Sequence, residues 1–187
     1  MTSLRMAAAG LALAVLSGCA AYVAPPYSSD YATLDRLKSA PLQNVAVATV
    51  QPSDASAPVN RVSLRGASLV SPKGTYAKYL EDALTQDLRE LKIFDPQAGL
   101  RINATVLKNS IDVSGISTGE GQMEVELAIE RGTSMVLRKT YSATTRFESS
   151  FAGAVAVPKG QQEYPLLVRA LLSKVYADPD FASALKK

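Results

Sequence analysis

The apolar positions of this chain change period several times, and each change marks an element. Over 44–50, Val45 and Val47 alternate with small residues, the period-two pattern of a strand with two unlike faces. Residues 51–60 carry Pro52 and Pro58 and read as loop, and 61–70 alternates at Val62 and Leu64 until Gly66 breaks it, which predicts a second short strand. From 75 onward the spacing becomes three and four. Tyr76, Leu80, Ala83, Leu84, Leu88 and Leu91 then form one stripe, the mark of an amphipathic helix. Ser71 and Pro72 are start signals, with Gly74 delaying the start to Thr75, and Asp95, Pro96 and Gly99 close the segment beyond Lys92. Asp87 is the one carboxylate on the stripe and reads as lying at its edge.

Alternation then returns. Leu100, Ile102, Ala104 and Val106 share one parity while Ile111 and Val113 take the other, so a bulge is predicted at 107–109. Residues 114–121 read as a turn. Met123, Val125, Leu127 and Ile129 alternate with Gln122, Glu124, Glu126 and Glu130, a strand with one buried and one wet face. Met135, Leu137, Tyr141, Ala143 and Phe147 give the apolar face of the last strand, with Lys139 the exception. A two-residue turn at 132–133 would set Ile129 opposite Val136 and mix core with surface. A three-residue turn at 132–134 pairs Ile129 with Leu137, Val125 with Tyr141 and Met123 with Ala143, and is the expected register.

Residues 151–158 lack polar side chains until Pro158 and read as an apolar loop, either tucked under the sheet end or offered to a partner. Phe151, Val155 and Val157 are the candidate contact residues. Tyr164, Leu167, Val168, Leu171, Leu172 and Val175 form a second helical stripe, starting at Pro158 with a kink at Pro165 or starting at 163–165. Asp178 and Pro179 stop it and cap a short helix bearing Phe181 and Leu185. The order is strand, helix, three antiparallel strands, helix. A strand–helix–strand crossover is parallel and right-handed, so the expectation is an α+β two-layer sandwich: a mixed sheet with two main helices on one face, a single domain over 43–187.

The N-terminus is of another kind. Arg5 precedes an 11-residue apolar run at 6–16, whereas a bilayer-spanning helix needs about 20 apolar residues. Leu16, Ser17, Gly18 and Cys19 follow, and this segment resembles the lipobox of bacterial lipoproteins. The resemblance implies a signal peptide over 1–18, diacylglycerol on the Cys19 sulfur, cleavage before Cys19 and acylation of the new amino group. Ala20, where an Asp would be a retention signal, implies sorting to the outer membrane with the domain facing the periplasm. Two or three acyl chains hold a protein essentially permanently, at about 0.8 kcal/mol per buried methylene. Residues 19–42, with Pro25, Pro26 and Pro41 and no sustained period, read as a tether that spans roughly 70 Å if extended.

Composition narrows the chemistry. The chain has no histidine, which excludes histidine triads and the common zinc sites, and its one cysteine is the lipidation candidate, so the mature protein has no disulfide. Removing 1–18 takes away one basic side chain, Arg5, and leaves 19 against 17, a net charge of +2. No basic run of the kind a nucleic-acid face needs is present. Catalysis would rest on carboxylates: Glu81, Asp82, Asp87 and Glu90 on the helix, Glu124, Glu126 and Glu130 on the strand. They read as the wet faces of amphipathic elements. The glycine-rich 115–121 (GISTGEG) leads into a strand and is followed by Gln122, so it reads as a hairpin turn rather than a phosphate loop.

Beyond the lipobox, Gly74, Thr75 and Tyr76 with Tyr79 and Leu80, the stretch 115–119 (GISTG), 148–151 (ESSF), Tyr164, Pro165 and Leu166, and Asp178 with Pro179 carry a wider likeness. On these residues the mature chain resembles small bacterial lipoproteins, similar in layout to the auxiliary lipoproteins of ABC-type transport systems. The resemblance implies an envelope protein without known catalysis and transfers no catalytic residue, cofactor or metal site. The expected function is therefore non-catalytic: a lipid-anchored protein that binds another envelope component, a protein or the cell-wall polymer. The alternative is a carboxylate-dependent enzyme acting on envelope glycans.

Overall fold

A computed structural model describes residues 21–186. The signal-peptide and Cys19 expectations lie outside the described residues. In chain order the elements are β1 (Ala21–Val23), α1 (Tyr31–Lys38), β2 (Val45–Gln51), β3 (Val62–Leu64), β4 (Ala67–Val70), α2 (Tyr76–Glu90), β5 (Leu100–Asp112), β6 (Thr118–Arg131), β7 (Ser134–Glu148), α3 (Gly153–Ala177) and α4 (Pro179–Ala184). The main sheet has the order β2-β5-β6-β7, with β2 parallel to β5 and the other pairs antiparallel. Its long strands bury Ile102, Ala104, Val125, Leu127, Ile129 and Tyr141 on one face. The stripes of α2 (Leu80, Leu84, Leu88) and α3 (Leu167, Leu171, Val175) cover that face. The other face, with Arg101, Thr105, Glu124, Glu126, Thr140 and Ser142, is open to solvent to varying degrees. This is the expected α+β sandwich with its mixed sheet.

The local chemistry explains the boundaries. Thr75 caps α2 by accepting the Lys78 N–H at 3.1 Å, and Lys92 beyond its end takes φ of 60°. Asp178 caps α4 by accepting the Asp180 N–H at 3.0 Å, next to Pro179, whose missing N–H costs nothing at a helix start. In β5 the register shifts between Val106 and Lys108, so Leu107 bulges out of the ladder, 48 % exposed, and Ile111 and Val113 regain the core face.

Four expectations about the turns, the 61–70 strand and the 151–158 loop need correction. The register of β6 on β7 is as read, Ile129 opposite Leu137 and Met123 opposite Ala143, but the turn holds only Gly132 and Thr133. Arg131 faces Ser134, and the odd residue is taken up by a bulge at Val136. The turn before β6 is also shorter than 114–121. Gly119 and Gly121 stand in the strand, where a Cβ at Gly119 would sit 2.4 Å from the Phe147 ring, so the glycine makes room for that ring to lie across it. Residues 61–70 form a hairpin of two strands, β3 and β4, turning at Arg65 and Gly66, both with positive φ. With β1 they make a second, three-stranded sheet in the order β1-β4-β3. Lastly, 153–158 is helix, not loop: α3 runs unbroken through Pro158 and Pro165.

The tether reading of residues 21–42 is the largest correction. β1 pairs in parallel with β4, Ala21 opposite Ser68 and Val23 opposite Val70. Residues 24–29 are bonded down: Pro25 carbonyl accepts the Tyr79 hydroxyl at 2.7 Å, Gln86 Nε2 donates to Ser29 Oγ at 3.2 Å, and Arg169 Nε donates to Ser28 carbonyl at 3.1 Å. Asp30 then caps α1, which buries Leu34 and Leu37 in the core. Two short apolar contacts and several hydrogen bonds replace the long periodic stripe that would have signalled packing.

Candidate functional site

The carboxylates set aside as acid/base candidates divide between α2 and the open face of β6. Glu81 pairs with Lys78, and Asp82 with Lys73 at 2.8 Å. Glu124 and Glu126 stand on the open sheet face, and Glu130 there accepts from Asn103 at 3.1 Å. Asp87 is different. The stripe-edge reading is wrong for it, because it is fully buried between α2, α3 and the N-terminal segment. Its Oδ2 accepts the hydroxyls of Tyr27 at 2.7 Å and Tyr176 at 3.0 Å, and its Oδ1 has no partner. Burial raises its pKa above the ordinary 3.8, outweighing the nearby Ser29 hydroxyl and the hydrogen bonds from Tyr27 and Tyr176, which favour the charge. A carboxyl in this position fastens three segments; a substrate has no route to it.

Asp87 thus makes stability depend on pH in a stated sense. Its folded pKa lies above its unfolded one, so its contribution is fully favourable below the unfolded value and is withdrawn as pH rises through the folded value. Asp87→Asn stays neutral and keeps an acceptor for both tyrosines. In urea melts its stability relative to the parent should grow as pH rises above the ordinary carboxylate value of 3.8. A difference that does not change with pH would show that Asp87 titrates alike in both states.

Beside this cluster a groove of about 720 Å³ runs between residues 23–27 and α2, lined by Pro26, Tyr27, Lys73, Tyr79, Gln86 and Arg89. Its cations are already engaged, Lys73 with Asp82 and Arg89 over the Phe94 ring at 5.0 Å. A Ser-x-x-Lys spacing at Ser183 and Lys186 lies at the end of α4 with both side chains exposed, not in a cleft. Among the described residues no group of three or more acidic or cysteine side chains is arranged to hold a metal ion, and no helix is long and apolar enough to cross a membrane.

The predicted contact residues separate. Val157 faces the core, 7 % exposed, whereas Phe151 at 79 %, just ahead of α3, and Val155 at 45 %, in its first turn, lie on the surface. The sequence reading missed their neighbour Ile116, which is 77 % exposed. Arg65 draws the two segments together. From the β3–β4 turn its guanidinium donates to the carbonyls of Val113 (2.9 Å), Gly115 (3.4 Å), Ser150 (2.8 Å) and Phe151. Ser149 N–H also donates to Ser117 carbonyl at 2.8 Å. The signal for this surface was the lack of any charged residue in both 113–117 and 149–157.

These features define a two-layer α+β domain whose N-terminal segment is built into it and whose two most exposed apolar residues, Ile116 and Phe151, lie on loops that Arg65 ties together. One solved structure shares the fold, and two others align more loosely. Protein XCC0632 from Xanthomonas campestris, described under the family model DUF330, aligns with a TM-score of 0.54 at 13 % identity, over 83 % of this chain and 94 % of its own. A "putative lipoprotein" from Caulobacter crescentus aligns with a TM-score of 0.48 at 11 % identity, over 82 % of this chain and 96 % of its own. The hypothetical protein CT253 from Chlamydia trachomatis aligns at 0.45 and 12 % identity, over 72 % of this chain and 96 % of its own. No protein-family model matches the chain, and no curated protein matches its sequence.

Proposed function

We propose that this chain is a lipoprotein of the bacterial envelope, anchored through acylated Cys19 in the outer membrane with its domain in the periplasm, and that it acts by binding another envelope component rather than by catalysis. The observation that carries the reading is the start of β1 at Ala21, two residues after Cys19. A domain bonded to its own N-terminus from that residue onward has no slack. It is held against the membrane in one orientation, as suits an accessory subunit that keeps its place in an assembly. The auxiliary role in an ABC-type transport system, implied by the sequence resemblance, belongs to this proposal. Glu124 and Glu126 share the open sheet face and Asp87 is buried away from them, which supports binding over glycan hydrolysis, where two carboxyl groups must flank one bound glycosidic bond.

In-cell crosslinking of the acylated protein tests the reading. Photo-crosslinking residues placed on the open sheet face, at Thr140 or Ser142, should give one discrete adduct, identifiable by mass spectrometry. A ladder of unrelated adducts, or none from any exposed position, would count against a specific partner.

A further inference from the structure

The Ile116 and Phe151 end of the domain and its first strand, β1, lie together. β1 runs parallel to β4, so Ala21 lies beside Ser68, at the end of β4 that leaves the Arg65–Gly66 turn. Arg65 is the residue whose guanidinium gathers the carbonyls of Val113, Gly115, Ser150 and Phe151. Gln161 in the first half of α3 donates to Val23 carbonyl at 2.7 Å, which fixes that end of α3 on the same side. Ala21, Ile116, Phe151 and Val155 therefore share one end of the molecule. Two residues of chain span at most about 7 Å, so whatever Cys19 is attached to must lie at this end too.

The chemistry of the end fits a lipid surface. Its two loops carry no charge, its one cation has its donors spent on main-chain carbonyls, and Phe151 and Ile116 project almost bare. Of the next charges back along the strands, Glu148 pairs with Lys159 at 3.3 Å and Glu120 with Arg146 at 3.5 Å, and Asp112 at the end of β5 turns its carboxylate onto the Ser114 N–H at 2.7 Å. The opposite end displays the charged Arg131, Asp180 and Lys186 beside the half-exposed Met135 and Val136.

We infer that the Ile116, Phe151 and Val155 end is a membrane-docking surface, which enters the acyl-chain boundary of the bilayer that holds Cys19. Acyl anchoring sets the distance, and these side chains fix the tilt, as apolar anchors do for interfacial proteins. The inference rests on the proposed lipidation of Cys19.

The chain has no tryptophan, so one introduced by substitution is a clean reporter. The full acylated protein carrying Phe151→Trp is reconstituted in vesicles of phosphatidylethanolamine and phosphatidylglycerol containing brominated acyl chains. The reference is Met135→Trp, at the start of β7, 45 % exposed and roughly 40 Å away along the strand. Flotation of the protein with the vesicles reports the anchor, and quenching reports the surface. Flotation with a blue-shifted, largely quenched Trp at 151 and an unquenched Trp at 135 is the expected result. Flotation with both tryptophans unquenched overturns the docking surface while leaving the anchor in place, and points to a protein partner or a second copy over Phe151. Failure to float overturns the anchor and the docking surface together.

Discussion

Leu34→Ala is expected to lower the stability of the domain by about 2 to 5 kcal/mol, a large share of the 5 to 15 kcal/mol typical of such domains, roughly speaking. Leu34 is 1 % exposed in the second turn of α1, and that helix packs on α3. The substitution removes most of a side chain without disturbing the Asp30 cap, in which the carboxylate accepts from Ala32 N–H at 3.1 Å and Thr33 hydroxyl at 2.6 Å. The loss is therefore a cavity and not an unwound helix. Urea unfolding followed by far-ultraviolet circular dichroism measures it. A change below about 0.5 kcal/mol, the scale of a neutral surface substitution, would return residues 21–42 to the status of a tether.

Cys19→Ser is expected to have the second large effect, on location and not on folding. It removes the only thiol in the chain, hence the acyl acceptor, and with it the processing step that depends on acylation. The precursor should accumulate still carrying residues 1–18, and the mature form should vanish from the outer-membrane fraction. Because two acyl chains hold far more tightly than one, no partial phenotype is expected from a correctly acylated parent. A normally sized, soluble product from the Ser variant would mean that an ordinary secretory signal had been misread.

The long elements were legible because their periods are sustained. The β5 bulge declared itself through the change of parity between Val106 and Ile111, and the β6–β7 register through the apolar faces alone. That register survived a wrong turn length, since the core demands Ile129 opposite Leu137 however the chain gets there. What escaped the reading was short or disguised. α1 buries only Thr33, Leu34 and Leu37, two turns of signal overshadowed by three prolines nearby. The first turns of α3 were hidden by Pro158 and Gly160, both of which look like breakers. Gly160 is in fact a core position: a Cβ there would come within 2.6 Å of Val113 Cγ1 and 3.1 Å of Leu64 Cδ2. Counting it as buried extends the stripe from Tyr164 back to Ala156 and Val157.

The candidate surfaces show the same division. Asp87 stood on the α2 stripe, but its tyrosine partners come from positions 60 residues before it and 89 residues after it, distances no local pattern spans. Phe151 and Val155 were visible as an uncharged stretch. Their link to Ile116 depends on Arg65, whose turn position gave no hint that it would gather four carbonyls from two other loops.

The central claim is that the folded domain is joined to a lipid at Cys19 with no intervening tether, and the mass of the mature N-terminal peptide tests it most directly. Trypsin should release residues 19–36 from protein purified out of the membrane. The account predicts a peptide that begins at Cys19 and carries a thioether-linked diacylglyceryl group and an amide-linked acyl chain. A peptide beginning at Cys19 or elsewhere without lipid would contradict it.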